Sequence, residues 1–171
     1  MVEDVVKELG YLTLGSRLKR IGERLQSQAQ TLLEEAGISL SAAFFPLLAA
    51  LDRLGPLSVG ELAQAIGVSQ PGVTRVLEKL ESEGLVKSQP PAGDRRVRPI
   101  ALTAAGRQLV ARSKKSVWPR IEAAVAEACA GAGLKSPLLP QLAALEDALT
   151  AAPLHVRAAR ASSGTRASSG S

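Results

Sequence analysis

Apolar residues recur at intervals of three and four along most of this chain, with polar residues between them. That period is typical of amphipathic α-helices, whereas two short β-branched or apolar runs at 85–88 and 97–102 are typical of strands. The predicted helices cover residues 5–35, 41–54, 59–66, 70–83, 104–130 and 137–151. We therefore expect a mainly α fold with a small β-hairpin.

Prolines and glycines predict where these helices are interrupted. Pro46 falls inside the second helix, which must either start late or bend there. Pro119 should kink the long helix near its middle. Gly55 and Pro56 end the second helix, and residues 56–57 are expected to add a short strand that pairs with the hairpin.

The stretch LSVGELAQAIGVSQPGVTRVLEKLESEGLV, residues 57–86, carries the signals of two consecutive helices joined by a tight turn. Ser58 and Glu61 fit a capping box at the start of the first helix. Gly67 is free to take the positive φ that ends it. Ser69 caps the second helix, whose first turn tolerates Pro71. This is the arrangement of a helix-turn-helix.

The second of these helices leaves polar residues opposite its apolar stripe. An amide, a hydroxyl and two cations on an exposed helix are suited to base edges and phosphates in a major groove. The alternative is an ordinary solvated helix face, which charge alone does not exclude. The candidate DNA-contacting residues of this helix are Gln70, Thr74, Arg75 and Lys79.

The tip of the predicted hairpin, PPAGDRR, combines turn residues with adjacent arginines. Arg95 and Arg96 at such a tip can enter a narrow, negative minor groove. Arg98, in the returning strand, is a further candidate for DNA contact. Asp94 would orient the neighbouring arginine, and its alternative role is that of a plain turn residue.

Taken together, these motifs resemble the MarR family of bacterial transcriptional regulators. The resemblance rests on residues 57–86, on GDRR at 93–96, and on LTAAG at 102–106, which is similar to the family's Leu-Thr-x-x-Gly opening of the next helix. It implies a winged helix-turn-helix whose second helix reads the major groove. It also implies that Arg96, supported by Asp94, reads the minor groove.

The resemblance further implies a homodimer whose N- and C-terminal helices interlock. Packing of these helices on their own subunit is the alternative. We expect an N-terminal dimerisation helix in residues 1–36, the winged helix-turn-helix in 37–103 and C-terminal dimerisation helices in 104–151. Residues 152–171 are rich in Ala, Ser, Gly and Arg, and we expect a disordered tail there.

The charge of the chain is concentrated where the motifs lie. The net charge is +5, yet residues 70–115 hold ten Lys and Arg against four Asp and Glu, a net of +6. A basic patch that coincides with the motif fits a phosphate-binding protein. No secretory signal or membrane-spanning run is evident, so we expect a cytoplasmic protein without a membrane partner.

Catalytic chemistry finds little support in this composition. His155 is the only histidine and Cys129 the only cysteine, which leaves no candidate for a metal site or a Ser-His-Asp triad. Cys129 is expected to act as a small buried hydrophobe rather than as a redox sensor. We expect no enzyme activity, no metal and no cofactor.

Family members often bind small aromatic or phenolic anions in a crevice between the dimer helices and the winged helix. The polar and aromatic residues that could border such a crevice here are Tyr11, Arg17, Phe44, Phe45 and Trp118. Core aromatics and a surface arginine are the alternative interpretation of the same residues.

The sequence therefore predicts a homodimeric regulator that binds a pseudo-palindromic operator in double-stranded DNA and acts as a repressor relieved by a small ligand. The alternative is a protein–protein interaction module of the winged-helix class. The run ELGYLTLGSRLKRIGERLQ, residues 8–26, is similar to regulator domains that precede an acetyltransferase in some relatives. No acetyltransferase-like sequence follows here.

Overall fold

A computed structural model describes residues 2–90, 98–133 and 137–167 of the chain. It divides into two compact units, residues 1–125 and 126–171. No helix in the described part of the chain has both the length and the apolar character that spanning a bilayer requires.

The first unit contains most of the regular structure. Its short 3₁₀ helices are Gly10–Thr13 and Ala42–Phe44. Its α-helices and strands are α1 Val5–Glu8, α2 Leu14–Glu35, α3 Phe45–Leu54, α4 Val59–Ile66, α5 Gln70–Ser82, β1 Val86–Ser88, β2 Ile100–Leu102, α6 Ala104–Ser116 and the beginning of α7 Trp118–Gly131. The prediction of a mainly helical fold with a small β-hairpin is confirmed.

The predicted N-terminal helix is not continuous. Gly10 takes a φ of 55°, which ends α1 and lets the 3₁₀ turn reverse the chain. The hydroxyl of Thr13 donates to the Val6 carbonyl at 2.7 Å, and Arg20 Nη1 lies 2.9 Å from Asp4 Oδ1. This ion pair lowers the pKa of Asp4 and raises that of Arg20. The short α1 is thereby held against α2.

The two prolines act as helix starters rather than kinks. Pro46 lies in the first turn of α3, where its missing N–H needs no partner, so the second helix starts late. Pro119 likewise falls in the first turn of α7. The long predicted helix is divided at Val117, whose φ of −105° and ψ of −37° separate α6 from α7.

The hairpin is antiparallel and pairs Val86 with Leu102 and Ser88 with Ile100. Leu57 adds the predicted third segment, since its N–H donates to the Ile100 carbonyl at 3.1 Å and its carbonyl accepts from Ile100 N–H at 2.8 Å. This bridge ties the chain just before α4 to the base of the hairpin.

The core of the first unit is aliphatic. Leucines and valines from α2 through α6 fill it, and Phe45 meets Trp118 edge-on with ring centroids 6.1 Å apart. The most deeply buried side chains include Leu47, Leu48, Leu62, Val73, Leu80 and Val110. The apolar stripe predicted for the second helix of the helix-turn-helix is therefore an internal face.

The start of α6 lies directly against the backbone at Leu85. Thr103 caps α6 by accepting from Gly106 N–H at 3.0 Å, and its own hydroxyl donates to the Gly84 carbonyl at 2.7 Å. A Cβ added at Gly106 would lie 2.1 Å from the Leu85 carbonyl oxygen. The glycine of LTAAG is thus required because the backbone after α5 passes directly against α6.

The second unit contains the end of α7, then α8 Leu138–Ala151 and α9 Leu154–Ala167. The last helix lies in the segment for which disorder was predicted, so the structure differs from the prediction there. The low hydropathy of this segment argued against a packed core, but alanine has the highest helix propensity of any residue. The Arg157 guanidinium also donates to the carbonyls of Ala148 and Ala152 at the end of α8.

Replacing Gly106 with alanine should destabilise the protein by about 2 kcal/mol or more, because backbone atoms at Leu85 must move to admit the Cβ. The measurement is the urea unfolding midpoint at fixed protein concentration. Gly15→Ala is the matched control, since nothing lies within 4 Å of its new Cβ. Equal midpoints for the two variants would contradict the close approach.

Candidate nucleic-acid interface

The structure contains the capping residues and the turn glycine that the sequence predicts for the helix-turn-helix. Glu61 N–H donates to Ser58 Oγ at 3.2 Å and Ser58 N–H donates to Glu61 Oε2 at 2.8 Å, so the predicted capping box is confirmed. The Ser58 hydroxyl, which donates to Glu61 Oε2 at 2.7 Å, and the Ser58 N–H together hold the pKa of Glu61 below its ordinary value. Gly67 ends α4 in the left-handed region, with a φ of 66°.

The helix α5 starts at the predicted cap. Ser69 accepts from Gly72 N–H at 3.4 Å, and Pro71 occupies the first turn. Val73, Leu77 and Leu80 are buried at intervals of four and three residues. They fix the rotation of α5 about its own axis and so decide which residues face outward.

The outward centre of α5 is a stripe of residues at 71, 75, 78 and 82. These positions follow the same helical period as the buried residues. They are displaced by about half a turn, so they lie on the opposite side of the helix. Arg75, Glu78 and Ser82 are all exposed. We call Pro71, Arg75, Glu78 and Ser82 the outer stripe. Arg75 was predicted from the sequence, whereas Glu78 was not.

Gln70 and Thr74 flank the outer stripe on one side. Both are exposed, and the Thr74 hydroxyl donates to the Gln70 carbonyl at 3.0 Å. A Cβ added at Gly60 of α4 would lie 3.6 Å from Gln70 Nε2, so this amide rests beside α4. The two side chains are therefore neighbours at the N-terminal end of α5.

Lys79 flanks the outer stripe on the other side. Its Nζ lies 2.8 Å from Glu83 Oε1 one turn further along α5. Lys79, Glu83 and Arg112 of α6 border a cavity of about 400 Å³, together with the loop at 37–41. The charge of Lys79 is thus partly neutralised by Glu83, and its side chain borders this cavity.

The hairpin brings Arg98 close to α5. Arg98, Ser88 and Ile100 border a cleft of about 730 Å³ whose opposite wall is Thr74, Glu78 and Glu81. The predicted wing residues Asp94, Arg95 and Arg96 lie outside the described residues, and their groove contacts stay predictions. Within the described part, one side of the interface is α5 and the other is the base of the hairpin.

The residues predicted to form a ligand crevice are only partly brought together. Phe45 and Trp118 border an apolar cavity of about 400 Å³, along with Leu33 and Ile121. Phe44 borders the separate cavity that contains Lys79 and Arg112. Tyr11 is 93% exposed, and neither it nor Arg17 borders these two cavities.

This arrangement of capped helices, outward polar face and hairpin defines a winged helix-turn-helix. A model of the MarR family matches residues 36–97, which span this element. The winged helix-turn-helix of this chain is therefore similar to that of MarR-family regulators.

Solved structures support the same assignment. The transcriptional repressor CouR, bound to a 23-mer DNA duplex, is 28% identical, with a TM-score of 0.61 over 81% of this chain and 96% of CouR. A MarR-family regulator from Silicibacter pomeroyi is 28% identical, with a TM-score of 0.57 over 87% of this chain and 97% of that one. A mutant MarR from E. coli complexed with operator DNA shares the fold at 20% identity, with a TM-score of 0.64 over 86% and 97%.

The capping box should make the stability of the helix-turn-helix depend on pH. Because the folded-state pKa of Glu61 is lowered from 4.5, wild type should exceed Glu61→Gln in stability above that pH. The difference should vanish as the pH falls through the lowered folded-state pKa, since both side chains are then neutral. Urea unfolding midpoints between pH 7 and acid pH measure it.

Glu81→Gln is the matched control, because the Glu81 carboxylate makes no hydrogen bond or ion pair within the described residues. A wild-type advantage over Glu61→Gln that persisted unchanged into strong acid would contradict the assigned role of Glu61.

Proposed function

We propose that this protein is a homodimeric, sequence-specific DNA-binding transcriptional regulator, and that it acts as a repressor relieved by a small ligand. The observation that carries the proposal is the outer stripe of α5. It is presented to solvent on a helix whose opposite face packs in the core, beside the base of the hairpin where Arg98 is exposed. A rigid exposed helix of this kind fits a major groove.

The charges of the interface support DNA as the partner. Arg75 and Arg98 are exposed and make no ion pair within the described residues. An unpaired guanidinium is available to a guanine edge or a phosphate. In the proposed complex, α5 enters the major groove with Gln70, Thr74 and Arg75 against the bases. The hairpin tip, with Arg95 and Arg96 supported by Asp94, reaches the adjacent minor groove.

The N-terminal helices support the homodimer. Leu18, Ile21 and Leu25 form a stripe along α2 whose members are 39–49% exposed, and Leu33 is the one fully buried residue of this helix. In the second unit, α8 has no buried side chain, and Leu139 is 77% exposed. Apolar faces of this length are typical of surfaces that a second subunit covers.

The two cavities support relief by a small ligand. The apolar one, beside Phe45 and Trp118, is large enough for a single aromatic ring. The other joins Arg112 and the Lys79–Glu83 ion pair to apolar Phe44 and Leu109, so Arg112 is its cation without a partner acid among the described residues at the cavity, which suits a small anion with an apolar body. Because Lys79 belongs to α5, a ligand there would favour a position of α5 that differs from the DNA-bound one.

The test is selection from a pool of random duplex DNA with purified protein, together with its mass in solution. A two-fold symmetric motif retained by a dimer is the expected result. A folded dimer that enriches no motif would overturn DNA binding and leave the protein–protein interaction module as the function to examine.

Arg75→Ala should lower affinity for the selected operator by at least about tenfold and relax base preference at one position in each half-site. Lys79→Ala should have a smaller effect, because Glu83 already holds the lysine. Titrations with labelled operator at two salt concentrations measure both. Arg120→Ala is the matched control, since it removes the same charge from α7, where Arg120 Nη2 lies 3.0 Å from Glu35 Oε2. An Arg75→Ala variant that bound like the control would contradict the proposed interface.

A further inference from the structure

We propose that Glu78 reads a cytosine in the operator, by accepting a hydrogen bond from its N4 amine beside the base pair that Arg75 contacts. This inference rests on the proposed DNA-binding function and adds a specificity-determining residue to it. Glu78 is absent from the contacts predicted from the sequence because an acidic residue is unexpected on a surface that approaches phosphates.

The position of Glu78 is the first argument. It belongs to the outer stripe, three residues after Arg75 and four before Ser82, so it lies on the outward face of α5, on the side that borders the cleft to the hairpin. Any major groove that receives Arg75 therefore also receives Glu78, because residues three apart have Cβ atoms only about 5–6 Å apart.

The second argument is that nothing in the described structure neutralises this carboxylate. The other acid near the end of α5, Glu83, is paired with Lys79, and Glu61 of α4 is held by Ser58. The Glu78 carboxylate is exposed and makes no hydrogen bond or ion pair within the described residues, although Arg75 is one turn away and Arg98 borders the same cleft. A glutamate that follows an arginine along a helix is the less favourable order for an ion pair between them.

Charge then restricts what Glu78 can contact. A carboxylate at the edge of the groove would be repelled by phosphates, and the acceptors N7 and O6 of guanine offer it no proton. The amine donors in the major groove are cytosine N4 and adenine N6. Adenine presents its amine beside the acceptor N7, whereas cytosine presents N4 without an acceptor of its own in the groove. A carboxylate, which only accepts, therefore favours cytosine.

The spacing of the two residues fits neighbouring base pairs. Adjacent base pairs are about 3.4 Å apart along the duplex, which two long side chains with Cβ atoms about 5–6 Å apart can span. Arg75 donates to guanine while Glu78 accepts from cytosine. The two residues together therefore select a dinucleotide step that offers an acceptor to one and a donor to the other. A helix carrying only the cations would bind the same step with less discrimination.

The experiment repeats the random-duplex selection with Glu78→Gln, Glu78→Ala and wild type, alongside Arg75→Ala to mark the operator position of that arginine. Wild type should require cytosine next to the marked position. Glu78→Gln should lose about tenfold in affinity for the cytosine operator and shift towards adenine, because an amide can both accept from N6 and donate to N7. Glu78→Ala should lose the preference without gaining another.

Glu127→Gln is the matched control. It removes the same charge from an exposed position in α7, outside the helix-turn-helix and the hairpin. This variant should keep the wild-type base preference. Thermal unfolding of each variant checks the fold, which an exposed side chain without partners should not disturb.

Three results would overturn the inference while leaving the proposed function intact. Unchanged base preference in Glu78→Gln would show that the carboxylate reads nothing. A uniform gain in affinity for all duplexes would show that it only repels phosphate, and a uniform loss would show that it only supports the hairpin. Failure of wild type to enrich any motif is a different result, and it would overturn the proposed function itself.

Discussion

The passage of the backbone at Leu85 against the first turn of α6 is the constraint on which the winged helix depends. At this one place the end of α5, the start of β1 and the N-terminus of α6 meet, with the Thr103 hydroxyl bonded to the carbonyls of Gly84 and Leu85. The contact leaves no room for a side chain at position 106. The angle between α5 and the hairpin is therefore fixed by main-chain packing as well as by the aliphatic core.

Elements specified by neighbouring residues could be predicted from the sequence. The Ser58–Glu61 capping box, the left-handed Gly67 and the buried stripe through Val73, Leu77 and Leu80 each depend on a few consecutive residues, and the structure contains all of them. Even the bridge from Leu57 to the hairpin was foreseen, because Gly55 and Pro56 leave the chain extended at that point.

Features decided by competition between signals could not be predicted. The positive φ of Gly10 divides a helix that apolar periodicity alone would continue, and the alanines of α9 form a helix in a segment too polar to build a core. At the site, the charge of Lys79 suggested DNA contact. Its ion pair with Glu83 depends on the rotamers of two half-exposed side chains, which the sequence does not specify. Glu78 is not among the predicted contacts because a carboxylate is unexpected on a surface that approaches phosphates.

The exposed stripe formed by Leu18, Ile21 and Leu25 has a consequence for how such a regulator responds to its own abundance. If a second copy covers this stripe, the amount of assembled dimer at low abundance grows with the square of the chain concentration. Promoter occupancy would then be negligible below a threshold and rise steeply above it. Dilution of the chain during cell growth would release its target genes more sharply than the loss of a monomeric binder could.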